Sequence, residues 1–467
     1  MSATNVLEQF KWETQPAAEK FVTDIVTELM TKNAYARDLA KRMSEQAGTR
    51  FQDWVGHVAI KSTDARIGAM KDAGWVRRAG EGEVYDNPLG MFPAVYVGEF
   101  GVDIEVAVKV DDVVDFLAIN NLNVAIEGEP MSTIRVAAVS REAGTMLTVI
   151  ERHGDHSFTP PGKCNLDPIA RLKRAETFRT RKRDFDDAKD GFTELNRLVD
   201  VSIKDLGRDT TCDLFFAAER EFWMLRNRAA QVQYERQCKV GLGWANHDHH
   251  TYRSSRESFK DLVAVWEKLG LVCRERFYAG KDAGWGAQVM EQPVTGIITF
   301  NDVDLSPEEL FADFSHEGLA PRDKLGTIGL WCGLHGEAAM QAGMHHLECM
   351  FDFDALKIQL EAEGVRTMKP FTDFGFLRQA FTEGERWKVS EKRIGRLIDR
   401  NLITPEQGAK FKAEGAIGSH LENLERNEGF KGFNQHGVSE IISATDPRKQ
   451  AEAGAFEKIK YETAGAT

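Results

Sequence analysis

Two stretches of this chain share one construction, and that repetition limits the folds open to it. Asp248-His249-His250-Thr251-Tyr252-Arg253 and Met344-His345-His346-Leu347-Glu348 each place histidines at the head of a short strand, and each runs into an amphipathic helix. The first helix carries Phe259, Leu262, Val263, Val265, Trp266 and Leu269 at helical spacing and closes on Gly270. The second carries Phe353, Ala355, Leu356, Ile358 and Leu360 and stops near Gly364. A fainter echo opens at Gly56-His57 and runs through Lys61 and Ser62 to a helix that ends at Gly74-Trp75. A strand, a helix and three further strands then account for residues 52–110, 245–301 and 344–392, which we read as three copies of one module. The expected fold class is α+β, with repeated βαβββ modules forming a cupped mixed β-sheet around a metal site and flanking helices outside it.

Charge and cysteine usage narrow the function. At 467 residues, the net charge of −13 argues against nucleic acid as a main partner, because phosphate binding needs a basic face. No apolar run approaches the roughly 18 residues of a membrane span, and the N-terminus has neither the basic nor the apolar region of a signal peptide. The six cysteines are scattered without a C-x-x-C, which fits reduced thiols and a cytoplasmic protein better than a disulfide scaffold or zinc ribbon. The nucleotide-binding and serine-hydrolase motifs G-x-G-x-x-G, G-K-[ST] and G-x-S-x-G are absent. Pro160-Pro161-Gly162 marks a break. The expected organisation is an N-terminal degenerate or accessory module over 1–160, a helical linker region over 161–240, and paired catalytic modules with C-terminal helices and a substrate loop over 241–467. The basic run Arg179-Thr180-Arg181-Lys182-Arg183 is followed at once by Asp184, Asp186 and Asp187, so it reads as a solvated helix.

The histidines are candidate metal ligands. Residues i and i+4 of a strand share a face, so Arg253 would lie on the face of His249, where a guanidinium can grip a carboxylate. His247 shares that face and rivals His249, whereas His250 points the other way. His346 sits in an apolar setting that would equally suit a hydrogen-bonded core histidine; the second histidine-bearing module upstream supports the ligand reading. For a carboxylate, Arg386 to Glu391 reads as a returning strand that ends on Glu391. Glu391 would serve equally as a helix-start residue before Ile394 and Leu397, and Glu383, Glu385, Glu348 and Glu291 are rivals. His57 is a further candidate in the N-terminal module. Two imidazoles and one carboxylate on one side of a divalent ion suit non-heme Fe(II) with open positions for substrate and O2.

Over roughly residues 240–445 these motifs resemble the 2-oxoadipate dioxygenase/decarboxylase family of the vicinal-oxygen-chelate superfamily. The family's first metal strand is similar to Asp248-His249-His250-Thr251-Tyr252-Arg253, and its second to His345-His346-Leu347 followed by Asp352-Phe353-Asp354. Its L-R-Q strand is similar to Leu377-Arg378-Gln379, its F-G-E stretch loosely to Val389-Ser390-Glu391, its L-T-P-x-G to Ile403-Thr404-Pro405-Glu406-Gln407-Gly408, and its substrate loop to Val438-Ser439. The second strand departs from the pattern, with Glu348-Cys349-Met350 where the family has T-P-R. The resemblance implies that His249, His346 and Glu391 bind Fe(II) or another divalent metal. It also implies that Arg253, Arg378, Val438 and Ser439 contact the substrate. The partners would be a 2-oxo acid and O2, with neither nucleic acid nor membrane involved and a homo-oligomer left open. The implied reaction is decarboxylation of a 2-oxoadipate-like acid to CO2 and a 2-hydroxy acid such as 2-hydroxyglutarate. Two alternatives keep the fold: a glyoxalase-like metal-dependent isomerase or lyase that uses no O2, and a non-enzymatic small-molecule-binding protein.

Overall fold

The computed structural model describes residues 11–434 other than Asn165. Helices α1 (Pro16–Lys32) and α2 (Ala34–Ala47) come first, split at Asn33, whose side chain caps α2 by accepting from the Ala36 N–H. Their apolar stripes, including Phe21, Ile25, Leu29, Leu39 and Met43, pack on a seven-stranded sheet. That sheet opens with β1 (Val55–Lys61), α3 (Ile67–Asp72), β2 (Val76–Arg77), β3 (Val84–Asp86) and β4 (Ala94–Gly98). β4 returns parallel beside β1, and β3 and β2 follow antiparallel, which is the complete βαβββ unit. A second unit follows directly: β5 (Ile104–Lys109), α4 (Val113–Ile119), β6 (Ile134–Glu142) and β7 (Thr145–Arg152). β5 pairs parallel with β7, and β6 and β7 form a hairpin. Ala143 and Gly144 take φ of 46° and 78° in its two-residue turn, the conformation that matches strand twist. This unit lacks one strand of the complete pattern, and β5 joins it to the first by antiparallel pairing with β1.

Four helices precede the second sheet: α5 (Pro168–Thr180), α6 (Ala188–Leu206), α7 (Arg208–Met224) and α8 (Arg228–Cys238). They do not form a solvated spacer. Phe178, Phe192, Leu195, Phe215, Phe216 and Trp223 are buried in one core with residues of the second sheet and its helices. The basic run also departs from expectation. α5 ends at Thr180, and Arg181 and Arg183 turn inward onto Glu219, which is fully buried on α7.

The second sheet contains two more units. The first is β8 (His247–Arg253), α9 (Phe259–Lys268), β9 (Val272–Tyr278), β10 (Trp285–Glu291) and β11 (Ile298–Asp304), in the spatial order β8-β11-β10-β9. After α10 (Thr327–His335), the other unit begins with β12 (His346–Met350), α11 (Phe353–Ala362), β13 (Thr372–Phe374) and β14 (Leu377–Phe381). An insertion follows, made of β15 (Glu385–Trp387), α12 (Glu391–Asp399) and α13 (Pro405–Glu414), and only then does β16 (Ala416–Arg426) close the unit. β12 and β16 are parallel, and β12 pairs antiparallel with β8, so the opening strands of the two units lie side by side at the centre of the sheet.

The described residues are therefore mixed α+β with two mixed sheets of βαβββ-type units, and they contain four units instead of three. The stretch 52–110 takes in β5, the opening strand of another unit. The stretch 344–392 stops short of β16, because the returning strand expected at Arg386–Glu391 is only the short β15. Ser390 then caps α12 by accepting from the Arg393 N–H, so the helix-start reading of Glu391 is the one observed.

Glu219 supplies a stability test. Burial alone would raise its pKa, but Arg183 and Arg181 hold it down at about 2. A depressed carboxylate stabilises the fold above its unfolded value and loses that contribution as pH falls through the folded value. Glu219→Gln is expected to cost about 3–5 kcal/mol at neutral pH, since two guanidiniums stay buried without their partner. Urea denaturation at pH 7 and at pH 3 checks both points: the gap between wild type and variant should narrow at the lower pH.

Candidate metal centre

β8, β12 and β16 lie next to one another and turn polar side chains into one pocket of the second sheet. His249 comes from β8, His346 and Glu348 from β12, and Glu422 from β16. His346 and Glu348 are two residues apart in a strand and share a face; His420 and Glu422 repeat that spacing on β16. The two strands pair in parallel register, His346 with His420, Leu347 with Leu421 and Glu348 with Glu422. One ligand atom each from His249, Glu348 and Glu422 lie within 4.8 Å of one another, and all three residues are buried. His249 Nε2 is 3.2 Å from Glu348 Oε1, and His346 Nε2 closes on the same oxygen from the other side. Thr251 Oγ1 donates to that oxygen at 2.9 Å, and Gln379 Nε2 donates to Glu422 Oε1 at 3.0 Å.

A chain of charge stands behind His249. Its Nδ1 is 2.7 Å from Asp248 Oδ1, and Asp248 is gripped by the buried Arg426 at 2.9 and 3.2 Å. Burial would raise Asp248, but Arg426 and His249 hold it well below the usual carboxylate range. Burial lowers His249 as well, so its imidazole is neutral and Nδ1–H donates to Asp248. The Nε2 lone pair is then aimed into the pocket, the tautomer a metal ligand needs. The two glutamates behave differently. Burial raises Glu348 well above its usual value and the adjacent Glu422 raises it further; burial raises Glu422 too. Carboxylates this close cannot both ionise out of water without a cation between them. His346 Nδ1 and Glu348 Oε2 are buried with no hydrogen-bond partner among the described residues. Neutral imidazoles, paired carboxylates and orphaned polar atoms at one point make a donor set that fits a divalent ion.

Arg253 is on the same face as His249 and lines the same pocket. It is 3% exposed, its Nη1 has no hydrogen-bond partner among the described residues, and its Nε is 3.5 Å from Asp302. Burial pushes Asp302 up to about 7 against the pull of Arg253, so the guanidinium is weakly matched at neutral pH. Phe277, Trp285, Phe300, Phe371, Phe381 and Phe433 supply apolar wall.

Other sequence candidates lie elsewhere. Glu391 is the first residue of α12, exposed and paired with Lys412 at 3.0 Å, away from the pocket. Arg378 faces outward to Asp354 and Asp373. Glu383 pairs with Arg366, Glu291 with Lys431 and Arg274, and Glu385 accepts from the Arg228 N–H. His247 lines a different cavity, and His250 packs against Phe216 with Arg220 at its Nε2. His57 opens β1 much as His249 opens β8, but its Nδ1 accepts from Arg152 Nη2 at 2.9 Å. Val438 and Ser439 lie outside the described residues. The reading from sequence missed Glu422, although a signal was present: His-Leu-Glu occurs at 346–348 and again at 420–422. Among the described residues another group able to hold a metal, Glu267, Cys273 and His316, is exposed at the surface. No described helix is long and apolar enough to cross a membrane.

No protein-family model matches the chain, and no curated protein matches it. Similar solved structures include a mutant 4-hydroxymandelate synthase from Streptomyces coelicolor, 12% identical over 73% of this chain and 96% of that one, with a TM-score of 0.28. Methylmalonyl-CoA epimerase from Mycobacterium tuberculosis is 15% identical over 39% of this chain and 89% of that one, with a TM-score of 0.23. Hydroxyglutarate synthase from Pseudomonas putida, in complex with 2-oxoadipate, is 11% identical over 56% of this chain and 63% of that one, with a TM-score of 0.24. Likenesses this distant carry no argument about a residue or a reaction here.

The geometry separates the two carboxylate candidates. After loading with Fe(II) or Co(II), Glu422→Gln is expected to retain less metal than wild type by at least about tenfold, whereas Glu391→Gln should retain the wild-type amount. Metal content by mass spectrometry checks this, and the reverse pattern would return the ligand role to Glu391.

Proposed function

We propose that this chain is a non-heme Fe(II)-dependent dioxygenase/decarboxylase of a 2-oxo acid. A 2-oxoadipate-like dicarboxylate would be the substrate, and CO2 and a 2-hydroxy acid one carbon shorter the products. The observation that carries the reading is the meeting, in one aromatic-walled pocket, of the His249–Glu348–Glu422 donor set with the weakly matched guanidinium of Arg253. His249, Glu348 and Glu422 would hold the ion, and His346, whose Nε2 closes on Glu348 Oε1, would join them. Fe(II) with open positions supplies O2 activation and oxidative decarboxylation of the 2-oxo acid. In the overall balance C1 leaves as CO2, one atom of O2 ends in the carboxylate formed at the former keto carbon, and the other ends in the neighbouring hydroxyl.

The residues of the chain bind, orient and exclude water. Asp248 and Arg426 hold His249 in one tautomer. Arg253 is four residues along the strand from His249, roughly 13 Å between Cα atoms. A guanidinium at that remove suits the distal carboxylate of a short dicarboxylic acid and would set which end of it faces the donor set. The phenyl walls flank the methylenes and keep water away from the reacting end. The second buried carboxylate favours one rival. With a bound Lewis-acid ion, Glu348 could carry a proton in an isomerase or lyase that uses no O2.

Oxygen-electrode and CO2 measurements on Fe(II)-loaded protein with 2-oxoadipate test the proposal. Equimolar O2 uptake and CO2 release, with 2-hydroxyglutarate as product, is the expected result. Arg253→Lys should raise KM by about tenfold or more, since the bidentate grip is lost, with a smaller effect on kcat. Bound metal without O2 uptake on any short 2-oxo acid would favour the isomerase or lyase, and a protein that takes up no metal would favour a binding protein.

A further inference from the structure

A cavity of about 740 Å3 lies between the two sheets and shares no lining residue with the aromatic pocket. β5 and β7 form one wall, and α7 with the start of β8 forms the other. Three cations in these walls have no carboxylate within 4 Å among the described residues. Lys109 on β5 makes neither a hydrogen bond nor an ion pair there. Arg152 at the end of β7 has only the Ser157 carbonyl at 3.1 Å and His57 Nδ1 at 2.9 Å. Arg220 on α7 has only His250 Nε2 at 3.2 Å. The other wall cations are matched: Arg78 by Asp86, Arg179 by Glu221 and His153 by Asp213. The carboxylates of Asp111 and Asp155 are occupied by the Trp244 N–H and by Ser157 and Thr133.

Lys109 and Arg152 are brought together by a missing side chain. A Cβ on Gly56 would lie 2.8 Å from Lys109 Cγ and 3.1 Å from Arg152 Nη1, so the bare glycine of β1 lets both stems cross it. Taking these cations out of water is unfavourable: burial lowers Lys109 to about 8 against the more distant pull of Asp53 and Asp248, and Arg152 to about 10 against that of Asp155. An oxyanion with several oxygens would offset that cost and satisfy donors on both walls. We propose that this cavity is a second ligand site for a small organic anion bearing phosphate or carboxylate groups, gripped by Lys109 and Arg152 from the first sheet and Arg220 from α7. The site is independent of the metal centre, since these three cations touch none of His249, His346, Glu348 and Glu422.

Calorimetric titration of the full chain with inorganic phosphate and with succinate tests it and separates the two anion chemistries. Saturable binding of at least one is expected. Lys109→Gln and Arg220→Gln should each weaken it at least about tenfold, the size of one lost charge-assisted hydrogen bond. Gly56→Ala keeps every charge but pushes the Lys109 stem aside, and should weaken binding too. Thermal melts control for misfolding. Without anion, Lys109→Gln should melt at or above the wild-type temperature, and the bound anion should raise the wild-type Tm but not that of the variant. The proposal is overturned if neither anion binds, or if binding survives undiminished in Lys109→Gln and Arg220→Gln. A lower anion-free Tm for Lys109→Gln would also count against it, because the charge would then be matched within the protein.

Discussion

The parallel register of β12 on β16 is the constraint from which the candidate centre follows. It sets Glu348 beside Glu422 in the middle of a sheet, where both are out of water. An ionised carboxylate buried without compensation costs several kcal/mol, so two of them together are tolerable only because other groups converge. Thr251 and Gln379 donate to them, two neutral imidazoles face one of their oxygens, and Arg426 carries its charge on Asp248 one layer back. A core built for stability alone would use apolar side chains at these positions. Two carboxylates held this close, with lone pairs of imidazole aimed at them, are an arrangement that a divalent cation completes.

The insertion between β14 and β16 brings β16 to that register. α10, α12 and α13 share a small apolar core of Leu330, Leu334, Ile394, Leu397 and Phe411, which ends at Ala416, the first residue of β16. From α10, Trp331 Nε1 donates to the Gly418 carbonyl and His335 Nε2 pairs with the Ile417 carbonyl, so the helix clamps the start of the strand. Trp331 also lies beneath the Arg253 guanidinium, 5.6 Å from it. One helix thus locates both the strand that bears Glu422 and the cation at the far end of the pocket.

The parts of this arrangement legible in the sequence are those set by local pattern. The strand–helix–Gly repeat with histidines at strand heads marks the opening strands β8 and β12, and the four-residue spacing places Arg253 on the face of His249. The missed parts depend on long-range pairing. β16 is buried on both faces yet carries Ser419, His420, Glu422, Asn423, Glu425 and Arg426, so neither alternation nor an apolar run announces a central strand. Its distance from β14 in the chain hid it further, and the expected returning strand was drawn early, on residues where Ser390 starts a helix. The unit from β5 to β7 escaped because it lacks a strand. The inward turn of Arg181 and Arg183 escaped because their partner, Glu219, is a helix away.

The two sheets set a histidine at equivalent places beside neighbours of opposite charge. His249 and His57 occupy the opening strands of equivalent units. Beside His249 stands a carboxylate, Asp248, which accepts from Nδ1–H and leaves the Nε2 lone pair free. Beside His57 stands a guanidinium, Arg152, which can only donate, so Nδ1 is the acceptor and the proton must sit on Nε2. An imidazole in that tautomer has no lone pair left for a metal. Burial and Arg152 together also lower His57 well below its usual range, so the ring stays neutral and adds no charge to the cationic wall. The guanidinium that occupies the His57 Nδ1 lone pair is also the one that meets Lys109 over Gly56.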